Sequence, residues 1–308
     1  IDYPEFEILF GVRTRSDTAL PWIERLQRER PDLLLRIIDC TTVSPNGKVG
    51  SLIDLAREAR HPVLLVNDSD IVVEPDYLRN IVAPLENPET GLVTCLYRAS
   101  GSSFPAKMEA LGIATDFAPS TLVAPVVGVN EFGLGSTLCF RASDLQRIGG
   151  FENIAPYIAD DYQLGKRISQ SGLKVHLSTI PVETHLGGGS WRDVWHHQVR
   201  WARTVRVSKG AGYSGLLITN ATFWAVAAAL AGLGGWAIGL IFLRLATGLL
   251  CGAGILRDPL TRRLWWLMPV RDLFGVAVWA AGLFGRTVIW RGKNMKLTSE
   301  GRLEEEVN

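Results

Sequence analysis

Two aspartates one residue apart close an apolar run: Val63 to Val66 are followed by Asn67, Asp68, Ser69 and Asp70. Carboxylates at that spacing repel each other, and at the mouth of a strand buried on both faces the repulsion calls for a compensating cation. In an alternating strand both side chains point to one face, so a divalent ion can bridge them or sit against one. Such oxygen ligands suit Mg²⁺ or Mn²⁺, with water and a diphosphate filling the remaining positions. Aspartate after a strand is also an ordinary turn or cap residue, and Asp68-Ser-Asp70 alone does not separate the two readings.

Two further stretches carry chemistry-bearing side chains. Asp160 and Asp161, in APYIADDYQLGKRI, open a predicted helix. One acidic residue there serves capping and the helix dipole. The other is spare, and a carboxylate at a ligand crevice can take the proton of a hydroxyl nucleophile. In HHQVRW, Arg200 can neutralise phosphate with fixed donor geometry, and Trp201 offers a flat apolar face to a sugar or a lipid. His185, in ETHLGGGSW, reads as a structural histidine after a strand or as a third metal contact. The glycines at 187–189 suit a flexible lid better than a phosphate loop, because no strand-turn-helix with a lysine follows.

These residues need a scaffold. FEILFGV, LLLRIID and PVLLVND alternate with helical stretches at Ala19 to Arg30 and Val49 to Ala59. That alternation predicts βαβ units and a mostly parallel sheet, in which ligands bind beyond the carboxyl ends of the strands. TGLVTCLY and GLGSTLCFR read as further strands, and DDYQLGKRISQSG as a helix closed by Gly172.

Charge and hydropathy divide the 308-residue chain. Residues 1–190 carry 17 Lys/Arg against 24 Asp/Glu, residues 191–308 carry 15 against 7. A basic, apolar second half suits a bilayer with anionic headgroups. No charge falls between Lys209 and Arg244, and the apolar run from Leu216 to Leu243 exceeds the roughly 20 residues of a membrane span, so one transmembrane helix is expected there. A second run, Leu240 to Leu256, contains Arg244, expected to snorkel to an interface. A third, Leu264 to Trp290, holds Arg271, Asp272 and Arg286 and is expected to be re-entrant or interfacial. Basic residues flank all three, the last flank being Arg291, Lys293 and Lys296. Ahead of them, residues 191–212 put Trp191, Val194, Trp195, Trp201, Ala202 and Val205 on one helical side and Arg192, Arg200, Arg203 and Arg206 on the other, the pattern of a helix lying in the membrane interface. The scattered Cys40, Cys95, Cys139 and Cys251 suggest neither zinc nor a disulfide framework.

In order, DYPEFEILFGV, NGKVGSL, NDSDIVVEPDYL, GLVTCLYR, RIGGF, IADDYQLGKRI, HHQVRWARTVR and WRG cover nearly the whole chain. Their sequence and spacing resemble the membrane-bound GT-A glycosyltransferases, specifically family 21, the ceramide glucosyltransferases and their hopanoid-associated bacterial relatives. The resemblance implies an α/β fold: a GT-A, Rossmann-like nucleotide-diphospho-sugar transferase domain over residues 1–190, the interfacial helix at 191–212, a membrane region at 213–290 and a polar tail at 291–308. It also implies that the family's first strand and first transmembrane helix belong upstream of Ile1. Asp68 takes the position of the donor-site aspartate, Asp70 that of its metal-binding companion and Asp161 that of the general base. His197, Arg200 and Trp201 take the positions of a (Q/R)xxRW signature, and Lys48 that of a lysine near the nucleotide. Position 197 is His rather than Gln or Arg, and Asp70 stands where the animal ceramide enzymes have Gly.

The implied function is an inverting transfer of a sugar, UDP-glucose or a related UDP-hexose being the expected donor, to a lipid hydroxyl such as that of ceramide or a hopanoid polyol, assisted by Mg²⁺ or Mn²⁺. The expected partners are the donor, the lipid acceptor and the bilayer, with no nucleic acid. The expected place is the inner, cytoplasmic membrane, crossed more than once, with the catalytic domain on the cytoplasmic side. A processive polysaccharide synthase and a non-catalytic scaffold of the same fold are the alternatives.

Overall fold

The computed structural model describes residues 1–210, 212–290 and 293–305. Arg291 and its neighbour in the WRG stretch, and residues 306–308 of the expected tail, lie outside the described residues. A first βαβ unit comprises β1 (Glu7–Val12), α1 (Leu20–Glu29) and β2 (Leu34–Asp39), with β1 and β2 parallel. Helix α2 (Gly47–Glu58) begins at Asn46, whose side-chain oxygen accepts the N–H groups of Lys48 and Val49. That cap fixes Lys48 in the first helical turn.

Beyond β3 (Val63–Val66) come β4 (Ile71–Val72), α3 (Tyr77–Val82), β5 (Thr90–Ser100), α4 (Phe104–Gly112), α5 (Ala118–Val123), β6 (Leu138–Arg141), α6 (Ala142–Arg147), α7 (Asp160–Gln170) and β7 (Lys174–His185). A π-helical turn, Ile113–Phe117, joins α4 to α5. The second sheet runs β3-β6-β5-β7-β4. Only β5 and β7 are parallel in it, so the mostly parallel expectation is corrected to a mixed sheet. The reason is topological: β6 enters from the long helical insertion α4–α5 and runs back between β3 and β5. Central β5 is buried on both faces, Leu92 joining the core of Val49, Phe140 and Leu164, and Val93 that of Tyr77, Ile81 and Cys139. Helix α7 ends as expected, with Gly172 at φ 89°.

The second half continues with α8 (Trp191–Lys209), α9 (Gly212–Ile218), α10 (Ala221–Leu230), α11 (Gly234–Gly248), α12 (Pro259–Leu264), α13 (Met268–Gly282), β8 (Thr287–Trp290), β9 (Lys293–Leu297) and β10 (Leu303–Glu305). The single span expected over Leu216 to Leu243 is broken twice. Asn220 caps α10 by accepting the Phe223 N–H and leaves a 53° bend after α9, and Gly232, at φ 76°, turns the chain so that α11 folds back on α10. Among the described residues two helices are long and apolar enough to cross a membrane, Gly234–Ile255 and the unanticipated Phe104–Val127, with a third if α9 and α10 form one bent span. Arg244 does not snorkel. It is buried and donates to both carboxylate oxygens of Asp272, each at 2.7 Å, inside the helical layer. The third run is a 15-residue helix, α13, followed by a strand.

Part of the expected polar tail is sheet. Strands β8, β9 and β10 pair antiparallel and bury Val288, Met295, Leu297 and Leu303 against Ile158. The Leu303 N–H donates to Pro156 O at 2.7 Å and the Ile158 N–H to Gly301 O at 3.1 Å, so this sheet braces the segment that leads into Asp160 and Asp161.

Candidate active site

Strand β3 ends at Val66, and its four residues are half-buried rather than enclosed on both faces. Asp68 and Asp70 therefore stand on a turn, and the same-face argument for them is corrected. Asn67 anchors that turn, donating to the Tyr77 hydroxyl at 2.9 Å and to Ser136 O at 2.6 Å. From the turn the two carboxylates diverge. Asp68 Oδ1 lies 2.7 Å from Lys48 Nζ. Asp70 Oδ2 accepts the Thr184 hydroxyl at 2.9 Å, and the His185 N–H donates to Asp70 O. The imidazole of His185 pairs with the Ser100 hydroxyl.

The cation that the sequence calls for is, within the protein, an ammonium. Lys48 Nζ also sits 3.3 Å from Asp160 Oδ2. Burial alone would lower the pKa of Lys48, but Asp160 and Asp68 outweigh it and hold the ammonium above its ordinary value. Asp160 is buried and caps no helix N–H; it also takes the Asn46 amide at 3.4 Å.

Asp161 belongs to the same cluster. Its Oδ2 accepts the Gly135 N–H at 2.9 Å and its Oδ1 the Tyr162 N–H at 2.7 Å. A Cβ on Gly135 would fall 2.9 Å from Asp68 Oδ2, 3.5 Å from Asp161 Oδ2 and 3.6 Å from Lys48 Nζ, so the three groups surround one glycine. Burial, then the Asp160 charge, pushes the Asp161 carboxyl up to about 6 against the pull of Lys48 and the two N–H groups. A carboxylate so tuned can exchange a proton near neutral pH.

On α8, His197 Nδ1 lies 2.6 Å from Glu109 Oε1, and its ring is 4.6 Å from that of Trp201. Trp201 packs with Tyr97, Phe117, Leu186 and Leu260 around Ala99, Ala110 and Ile113. Arg200, half-buried, has its pKa lowered by burial and partly restored by Glu109. The helix is packed along one face, where Val194, Gln198 and Val199 are buried, and Trp191 and Trp195 meet the Phe274 ring of α13, each at 5.8 Å. Arg203 donates to Phe284 O and Thr287 O, and Arg206 to Leu283 O, so these two arginines satisfy carbonyls just beyond α13.

Four participants escaped sequence reasoning. Asn46 and Gly135 are a cap and a close approach, which only the folded chain defines. Tyr97 sits in an apolar strand and reads as core; its phenol is pushed up by burial, then by Asp161, Asp68, Glu109 and Asp70, and it packs on the same small core as Trp201 of α8. Glu109, 4% exposed in a long apolar helix, was the one legible signal, because a buried acid demands partners.

Among the described residues no three His, Cys, Asp or Glu side chains converge to hold a metal by themselves. Asp68 and Asp70 each have one oxygen engaged, by Lys48 and by Thr184, and one without a hydrogen bond among the described residues. Carboxylate oxygens of this kind are donors that Mg²⁺ or Mn²⁺ takes when substrate phosphates and water complete the shell.

Residues 1–303 match the family model of glycosyl transferase family 21. The chain belongs to that family. Ceramide glucosyltransferase 1 of Caenorhabditis elegans is 26% identical over 204 residues, and ceramide glucosyltransferase 3 of the same animal 24% over 205, each alignment covering 65% of this family 21 chain and 44% of the relative. The chain thus spans under half the length of these relatives. Among solved structures, S. aureus TarS 1-349 with UDP-GlcNAc is 15% identical at a TM-score of 0.43, covering all of this chain and 93% of that one. Glucosyl-3-phosphoglycerate synthase from Mycobacterium tuberculosis with Mn²⁺ and UDP-glucose is 14% identical at 0.32, covering 64% and 76%. Scores this low set no expectation for the family 21 chain.

Proposed function

We propose that this family 21 chain is an inverting glycosyltransferase that moves a hexose from a UDP-sugar to the hydroxyl of a membrane lipid of the ceramide or hopanoid-polyol type. The observation that carries the reading is Asp161: a carboxyl raised to about 6, beside Asp68 and Lys48, in a domain built onto helices long enough to enter a bilayer. Ionised, Asp161 accepts the acceptor hydroxyl's proton as that oxygen attacks the anomeric carbon from the face opposite the diphosphate. The Gly135 and Tyr162 N–H groups fix the carboxylate's orientation for that step. In this reading Lys48 and Arg200 are assigned to the donor and would offset the negative charge that grows on the departing diphosphate.

When bound, Mg²⁺ or Mn²⁺ would supply further charge for the diphosphate, held through the remaining oxygens of Asp68 and Asp70. His197 and Trp201 border the donor and present an apolar face where the lipid arrives. The proposed place is the cytoplasmic face of the inner membrane, where a water-soluble donor meets an acceptor confined to the bilayer. In membranes carrying the full-length gene product, Asp161→Asn should abolish transfer to lipid, read by mass spectrometry, while UDP still binds. Equal loss of transfer and UDP binding would make Asp161 structural and refute the assignment.

A further inference from the structure

The buried acid on α4 has a geometry that the reaction above does not use. Glu109 Oε1 takes two partners on α8, His197 Nδ1 at 2.6 Å and Gln198 Nε2 at 2.9 Å. Gln198 in turn accepts from Arg271 Nη2 of α13 at 3.0 Å. Gly112, on α4 itself, makes the room: a Cβ there would fall on the Arg271 guanidinium. Glu109, Gln198 and Arg271 are 4%, 9% and 5% exposed, so the link is held away from bulk water, where hydrogen bonds to a charged group are strong and their loss is costly. Helices α4 and α13 belong to the apolar layer, and α8 carries the HxxRW residues.

We infer that Glu109 is a positioning residue for the donor site: through His197 and Gln198 it sets the rotation and depth of α8, and so the placement of Arg200 and Trp201 against the UDP diphosphate. The inference rests on the transferase reading for its ligand and on the structure for its geometry. His197 and Trp201 are four apart on one helical face with their rings in contact, so an imidazole held by Glu109 holds the indole. Arg200 lies within the field of the same carboxylate. A negative charge near a diphosphate site would by itself weaken binding, so what Glu109 offers there is the position of its oxygen.

Charge and geometry separate in two conservative variants. Glu109→Gln keeps an acceptor oxygen in place and removes the charge; Glu109→Asp keeps the charge and withdraws the oxygen by one methylene. UDP affinity of the full chain in nanodiscs, measured by titration calorimetry, should fall about tenfold in Glu109→Asp and stay within about twofold of wild type, or tighten, in Glu109→Gln. His197→Ala should match the Glu109→Asp loss, and the double variant should lose no more than either single.

The reverse pattern, with Glu109→Gln weak and Glu109→Asp normal, overturns the inference, as do unchanged affinities in both or additive losses in the double variant. Lower melting temperatures with normal UDP affinity make Glu109 a folding residue only and also overturn it. A wild-type chain that binds UDP but glycosylates no lipid sinks the transferase reading while the affinities still decide the role of Glu109. A wild type that binds no UDP overturns both.

Discussion

Lys48 holds Asp68: the ammonium at the start of α2 lies 2.7 Å from the carboxylate on the turn after β3. Lys48 also faces Asp160, so one cation serves two acids, with Asp161 beside them. Lys48→Met leaves three carboxylates without a protein cation. Asp68 is half-exposed, so the cost should be about 1–2 kcal/mol of stability, below the ~3–5 of a fully enclosed pair. UDP affinity should fall by about tenfold or more through the lost charge. Thermal unfolding and UDP titration of the variant check both; a variant as stable and as tight-binding as wild type would remove Lys48 from the site.

The pH dependence follows from Asp161. A carboxyl raised to about 6 must be ionised to act as a base, so transfer should fall roughly tenfold per pH unit below 6 and level off above it. For stability the sign is opposite. The folded chain binds this proton more tightly than the unfolded chain, whose value is near 3.8, so the contribution of Asp161 is fully present below 3.8 and is lost as pH rises through about 6. Asp161→Asn should therefore melt above wild type at pH 8, with the gap closing by pH 4. A gap independent of pH would contradict the raised value.

Gly135 has no spare room. A Cβ would come within 2.9 Å of Asp68 Oδ2, so Gly135→Ala must displace that side chain. Mn²⁺-dependent UDP binding should weaken by about tenfold while the melting temperature changes little, because the displaced group is the end of a side chain on a turn. Gly188→Ala, near only the Ser102 hydroxyl, is the matched control. Equal effects of the two would show that Gly135 is not special.

The C-terminal sheet braces the segment that carries Asp160 and the proposed base Asp161, so a core deletion there should act on the chemistry. Leu303, 4% exposed, hydrogen-bonds through its backbone to Pro156 and packs on Ile158. Leu303→Ala should cost about 2–4 kcal/mol by cavity formation and lower kcat by loosening Asp160 and Asp161. Unfolding and turnover measured on one preparation test the coupling; lost stability with unchanged kcat would make the sheet a bystander.

Local patterns carried much of this protein. The alternation of apolar runs with helical stretches marked β1, α1, β2, α2 and β3, and the ordered motifs marked the family, because strand and helix periods and an acid at a strand end are written in consecutive residues. Long-range decisions were not so written. Whether Asp68 and Asp70 share a face depended on the strand stopping at Val66. Whether the run from Leu216 to Leu243 crosses once depended on Asn220 capping a new helix and Gly232 turning it. Arg244 and Asp272 read singly as interfacial charges because their mutual burial, 28 positions apart, is a property of packed helices. Composition and period belong to neighbours along the chain, so the sequence determined by itself the strands and helices of the first units, the apolar character of the second half and which side chains are chemically able. Which acid faces Lys48, which glycine lets Asp68 and Asp161 meet, and that Glu109 grips His197 were decided only by tertiary structure, because a charge or hydrogen bond acts through distance in space.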